Sequence, residues 1–297
     1  MKYWLKLVRI KNLMMMILIF VLIKFSILEQ LPFQTNLNTG NYLLLSFSII
    51  FIMAAGYVLN DVCDLETDKI NRNKSLIVGD KISVKKAKIF YVLLSCFGLL
   101  LGLLFSYRLN RPFYFIFFLI PFLLLITYSK VLKYKFLIGN LIVGFLLFIS
   151  IYYFNVFELY PIQNTSFQFE KIESENRITA LAIFAFLLTL LREIAKDAED
   201  IPGDIVSKSS SLPIKLGLQK TNTVLVFLTS ITLIFVIIFI YKISSNYLKV
   251  YLVLGVIFPL LYFAISINKN NKPSDYTKST KQLKLIMFIG ILSILFF

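Results

Sequence analysis

The sequence is divided into apolar runs, most of them close to the ~20 residues an α-helix needs to cross the hydrocarbon core of a bilayer. They fall near 12–31, 42–62, 84–107, 112–129, 136–157, 178–197, 221–241, 247–267 and 283–297. This pattern predicts an all-α, polytopic membrane protein with about nine transmembrane helices in one domain, 1–297. Composition agrees. Of 297 residues, 58% are hydrophobic and 16% charged, against about 25% charged in soluble domains. A soluble enzyme, a secreted disulfide scaffold and a disordered chain are excluded. Two cysteines, Cys63 and Cys96, cannot make a disulfide framework. The chain has no histidine, which removes His-based acid–base catalysis and His-ligated zinc or haem. The first apolar run is followed by no small-residue cleavage site and reads as a retained helix.

The net charge of +15 fits basic cytoplasmic loops better than nucleic acid. With the N-terminus cytoplasmic, twenty-four of the thirty-one Lys and Arg fall on that side and six on the other, Lys24 lying within a span. This bias predicts cytoplasmic orientation for the N-terminus and for the loops after spans two and six. An inner or plasma membrane is expected, with no nucleic-acid partner and no obligate protein partner.

Nine of the sixteen acidic residues sit in two short segments that end apolar runs and precede basic loops, a weak two-fold echo. One is Asn60-Asp61-Val62-Cys63-Asp64-Leu65-Glu66-Thr67-Asp68; the other runs from Glu193 through Asp197, Glu199 and Asp200 to Asp204. Carboxylates at the membrane boundary are costly unless paired or metal-bound, and point to function. At about 100° per residue, Asn60, Asp64 and Asp68 would share an arc of about 80° on a continuous helix. Glu193, Asp197, Asp200 and Asp204 would share about 60°, with Glu199 pointing away. Pro202-Gly203 should end that helix. Such faces repel unless cations join them. Hard oxygen donors suit Mg²⁺, which bridges to phosphates, and Arg9, Arg72, Lys74, Lys133, Lys196, Lys208 and Lys215 could neutralise the remaining phosphate oxygens. The combination suggests an amphiphile with a diphosphate head and a hydrocarbon tail. Solvated loop ends are the bland alternative. A Ca²⁺ loop lacks the required glycine and distal glutamate.

At these residues the chain resembles the UbiA superfamily of intramembrane prenyltransferases. Asn60, Asp61, Asp64 and Asp68 match its N-D-x-x-D-x-x-x-D motif, and Asp197, Asp200 and Asp204 its D-x-x-D-x-x-x-D motif. Arg9 with Asn12, Tyr128-Ser129 with Lys133 and Gly139-Asn140, and the Ser211–Gly217 stretch are similar to further family segments. The Arg72–Ser75 loop departs from the family in lacking a proline after Asn-Arg. The resemblance implies nine helices around a central cavity, with Mg²⁺ and a polyprenyl diphosphate at the cytoplasmic end. It implies Asn60, Asp61, Asp64, Asp68, Asp197, Asp200 and Asp204 as metal ligands, with Asp64, Asp200 and Lys196 central to catalysis. Arg9, Asn12, Arg72, Tyr128, Lys133, Asn140, Lys208 and Lys215 are the implied substrate contacts. The second motif looks most like the branch that transfers a geranylgeranyl group to geranylgeranylglyceryl phosphate; an aromatic ring of a quinone precursor is the alternative lipophilic acceptor. A transporter would line a path at mid-depth, whereas here the carboxylates gather at one face. A CDP-alcohol phosphotransferase motif would begin Asp-Gly, and neither segment does.

Overall fold

A peptide group in hydrocarbon must find its hydrogen bond within the protein, and a helix supplies it within one segment. The computed structural model describes residues 1–71, 76–163, 166–207 and 209–297; among them there is no β-strand, only an isolated bridge between Val78 and Ile82. Nine helical segments among the described residues are long and apolar enough to cross a membrane, the number the apolar runs predict. Three start well before their expected boundaries, at Gln168 rather than 178, Leu212 rather than 221 and Pro273 rather than 283; the first is the longest. There the polar stretch before the apolar run continues the helix, supported by the i,i+4 pairs Lys171–Glu175 (3.5 Å) and Glu173–Arg177 (2.6 Å).

The chain forms two compact units. The first comprises residues 1–20 and 37–134. It contains α1 (Lys2–Leu7), the larger part of α2 (Ile10–Leu22), α3 (Thr39–Cys63), α4 (Leu65–Asn71), α5 (Val84–Arg108) and α6 (Ile116–Lys130). Helix α3 is its axis and packs on both α5 and α6. The approach of α3 to α5 is close because α5 carries Gly98 where the two helices meet, while Gly102, one turn on, makes room for Phe118 of α6. A Cβ on Gly98 would stand 2.9 Å from Ile52 Cγ1 and 3.1 Å from the Ile52 backbone nitrogen. The gap lets the Ser48 hydroxyl donate to the Gly98 carbonyl at 2.7 Å. Small residues that admit a neighbouring backbone are a usual basis of helix association in lipid.

The second unit comprises residues 21–36 and 135–297. It contains α7 (Ile138–Phe154), α8 (Gln168–Glu199), α9 (Ile201–Val206), α10 (Leu212–Lys242), α11 (Asn246–Leu252), α12 (Phe258–Ile267) and α13 (Tyr276–Leu292). Helix α8 is its axis, packed against α7, α10 and α13. Near its start α10 bends at Gly217, whose φ of 78° lies in a region that glycine adopts without steric cost.

Each unit is thus organised around one inner helix. The apolar windows of α3 and α8 are 61% and 56% buried, against 22% for α10 and 11% for the segment ending in α6. These two helices are the ones that run into the acidic segments. Replacing Gly98 by leucine should force α3 and α5 apart and destabilise the detergent-solubilised protein by about 1–3 kcal/mol. Thermal unfolding with an unchanged midpoint would show that the close approach contributes nothing.

Candidate active site

The two acidic segments are built by the same backbone device. Helix α3 stops at Cys63, and Asp64 leaves the helical region at φ −89°, ψ 11° before α4 begins at Leu65. Helix α8 stops at Glu199, and Asp200 does the same at φ −93°, ψ 7° before α9 begins at Ile201. In each the chain stays coiled across the break. Asp64 N–H donates to Asn60 O at 2.8 Å and Asp68 N–H to Asp64 O at 2.8 Å; Asp200 N–H donates to Lys196 O at 2.9 Å and Asp204 N–H to Asp200 O at 3.1 Å. Each motif is therefore a long helix, a one-residue break and a short helix: the continuous helix expected across the first is corrected, and the end expected at Pro202-Gly203 in the second falls earlier, at Glu199. Pro202 does not terminate α8 but sits in the first turn of α9, where its missing N–H is no loss.

In the first unit the break leaves its carboxylates inside a set of cations and amides. Asp61, buried to 9% exposure, accepts from Arg9 Nη2 at 3.0 Å. Arg9 lies at the α1–α2 junction with φ 51°, a left-handed conformation uncommon for a residue with a Cβ. Its guanidinium covers the Tyr57 ring at 4.9 Å, and Asn12 Nδ2 reaches the Tyr57 hydroxyl at 3.4 Å. Asp64 Oδ1 pairs with Lys133 Nζ, and Asp64 Oδ2 accepts from Asn60 Nδ2 at 2.8 Å. Beside Lys133, whose ammonium is 5.0 Å from the Tyr134 ring centroid, burial pushes the Tyr134 phenol above its usual range while the ammonium pulls it down. Asn60 Oδ1 is buried with no hydrogen-bond partner. An orphaned carbonyl oxygen is costly by about 1–3 kcal/mol. Asn60 turns its amide nitrogen to Asp64, so its Oδ1 is left as a hard oxygen of the kind a divalent cation takes.

In the second unit Asp197 Oδ2 accepts from Asn140 Nδ2 of α7 at 2.7 Å. Lys196 Nζ stands 3.9 Å from Asp200 Oδ2, and Arg192 pairs with Glu193 at 2.5 Å. Each central aspartate, Asp64 and Asp200, therefore has a lysine beside it. Among the described residues no three His, Cys, Asp or Glu side chains stand close enough to hold an ion by themselves.

Tyr128 is half-buried on α6, and Lys215 lies over the Phe136 ring at 5.4 Å. Arg72, Lys74 and Lys208 lie outside the described residues. Sequence reasoning set Glu199 aside as facing away, and missed Thr277 and Thr280, which bind its carboxylate. The available signal was its position about 200° from Asp197 on the helix wheel.

Comparison with known proteins bears on this site. A family model described as the UbiA prenyltransferase family matches residues 17–292. Digeranylgeranylglyceryl phosphate synthase of Methanococcus aeolicus is 31% identical over 296 residues, 98% of this chain and 96% of that protein. The synthase of Saccharolobus solfataricus is 30% identical over 266 residues, 88% and 86% of the two chains. A solved structure concerned with digeranylgeranylglyceryl phosphate synthase in membranes is similar with a TM-score of 0.69 at 27% identity, covering 99% of this chain and 97% of that one. A UbiA homologue from Archaeoglobus fulgidus, bound to GPP and Mg²⁺, shares the fold with a TM-score of 0.64 at 18% identity, covering 98% and 99%.

Removing the Lys133 ammonium leaves the Asp64 carboxylate without its main counter-charge. Lys133→Met should destabilise the substrate-free protein by about 2–3 kcal/mol, with Asp64→Asn on that background recovering part of the loss. Chemical denaturation in detergent reads both steps. Additive losses in the double variant would mean that the two side chains do not interact.

Proposed function

Because the chain belongs to the UbiA prenyltransferase family, and is an integral membrane protein with its acidic segments at the ends of two inner helices, we propose that it transfers a prenyl group from a polyprenyl diphosphate to a lipophilic acceptor in a Mg²⁺-dependent reaction, acting as one prenyltransferase domain. The family match runs through both units and both motifs. The acceptor we propose is the hydroxyl of geranylgeranylglyceryl phosphate. The observation that carries this reading is the full-length similarity to digeranylgeranylglyceryl phosphate synthases, joined to two helix tips that each offer hard oxygens with a lysine alongside.

The residues that would hold Mg²⁺ are Asn60, Asp64 and Asp68 of the first motif and Asp197, Asp200 and Asp204 of the second, with Asp61 turned to Arg9. When bound, the metal supplies electrostatic stabilisation of charge developing on the departing diphosphate. Lys133 and Lys196 offer ammonium groups to the same oxygens, and Arg72 and Lys208 are proposed as further contacts on sequence grounds. Asn140 orients Asp197. Apolar side chains exclude water that would compete for the allylic centre. The acceptor oxygen forms its bond to C1 as the C1–O bond to diphosphate breaks, and the hydroxyl proton is released. The excess of Lys and Arg on one side supports a cytoplasmic N-terminus and a cytoplasmic site in an inner or plasma membrane, without an obligate protein partner.

Purified protein given radiolabelled geranylgeranyl diphosphate should prenylate geranylgeranylglyceryl phosphate in preference to dihydroxynaphthoate, hydroxybenzoate or homogentisate. EDTA should stop turnover and Mg²⁺ restore it. Transfer to an aromatic acceptor alone would replace the proposed acceptor, and transfer in EDTA would remove the metal from the account. Asp64→Ala and Asp200→Ala should each lower kcat by at least about a hundredfold while the protein still elutes as a folded species in detergent. Wild-type turnover in either would end the site assignment.

A further inference from the structure

The last turn of α8 is gripped from two opposite sides. On one side, Asn140 of α7 donates to Asp197 at 2.7 Å. On the other, Thr277 Oγ1 of α13 donates to Glu199 Oε1 at 2.9 Å, and Thr280 Oγ1 stands 3.2 Å from Glu199 Oε2. Asp197 and Glu199 are two residues apart, about 200° around the helix, so the two contacts oppose any rotation of α8 about its axis. The Thr280 hydroxyl also lies 3.1 Å from the Thr277 carbonyl, and its single proton favours the charged acceptor.

The threonines stand on a fixed base. Tyr276, fully buried, donates to Asn222 Oδ1 of α10 at 2.5 Å, and Asn222 Nδ2 donates to the Asn270 carbonyl at 3.0 Å. Asn270 Nδ2 reaches Ser279 Oγ at 3.0 Å, and the Asp275 carboxylate accepts from the Asn271 and Lys272 backbone N–H groups. The start of α13 is therefore tied to α10 and to its own preceding turn. Thr277 and Thr280 are three residues apart and share a helix face, so one carboxylate meets both.

We propose that Glu199 is a positioning residue: Thr277 and Thr280 hold its carboxylate and thereby set the angle at which α8 presents Asp197 and Asp200. The proposal rests on the prenyltransferase reading above. Glu199 touches no reacting atom; it acts through Asp197 and Asp200 on the same helix end. Helix α8 ends at Glu199 and the chain coils on through Asp200 into α9, so the α13 contact fixes the face of the last turn that lies opposite Asn140.

The test uses Thr277→Val/Thr280→Val, which removes both hydroxyls at nearly constant volume, beside Thr277→Ser/Thr280→Ser, which keeps them. The valine variant should lose about tenfold in kcat, the scale expected from sub-ångström misplacement of a reacting set. It should need several-fold more Mg²⁺ for half-maximal rate, and several-fold more Mn²⁺ to saturate the substrate-free protein as read by electron paramagnetic resonance of the free ion. KM for the lipid acceptor should stay at its wild-type value, and the serine variant should restore both metal dependences together with any loss in the unfolding midpoint. Wild-type metal dependence in the valine variant overturns the proposal. So does a loss accompanied by a lowered unfolding midpoint and not rescued by serine, since that marks a purely structural contact. If the wild type itself neither transfers a prenyl group nor binds Mn²⁺, the functional reading fails first, and that outcome is read without any variant.

Discussion

Carboxylates at the end of an apolar helix repel one another at short range, in surroundings that screen poorly. The structure answers three of them with a partner brought from a distant part of the sequence. Asp61 has Arg9 from the start of α2, and Asp64 has Lys133 from beyond α6. Asp197 has Asn140 from α7. These contacts tie each acidic tip to the helices of its own unit. They also explain the strained backbone at Arg9, which aims a guanidinium at Asp61 across the Tyr57 ring. Buried pairs of this kind contribute little net stability but are costly to break singly. Their role is to keep charged groups organised in a place where unpaired charge would not be tolerated.

The breaks at Asp64 and Asp200 serve the same end. Had α3 and α8 continued, their motif residues would have stayed on a single helix stripe. A one-residue departure, nearly identical in the two units, divides each motif between a long helix and a second short one. Asp68 and Asp204 belong to those short helices, α4 and α9. The orphaned Asn60 oxygen and the lysines beside Asp64 and Asp200 suit metal–diphosphate chemistry: ligands for a cation, and cations for a phosphate.

Much of this is legible in the amino-acid order. Runs of apolar residues near the thickness of a bilayer fix the number of spans, because only length and hydrophobicity matter there. The acidic motifs stand out because so few other carboxylates occur. What is not legible depends on tertiary contacts. The breaks at Asp64 and Asp200 carry no glycine or proline at the residue itself, so local propensity gives no warning. Arg9 with Asp61 and Lys133 with Asp64 are separated by 52 and 69 residues, beyond any periodicity. The early start of α8 was hidden because its first turns are polar, and hydropathy marks membrane depth rather than helix length. Glu199 was read as facing away from the metal face, but the threonines it meets lie 78 and 81 residues downstream.

The central claim is that both acidic segments serve one diphosphate through divalent cations. Calorimetric titration with geranylgeranyl thiodiphosphate, an analogue that resists transfer, tests it most directly. The account predicts one equivalent bound per chain in Mg²⁺, no binding in EDTA, and loss of that single event in Asp64→Ala and in Asp200→Ala alike. Full-stoichiometry binding that survives either substitution, or that persists without a divalent cation, would contradict it.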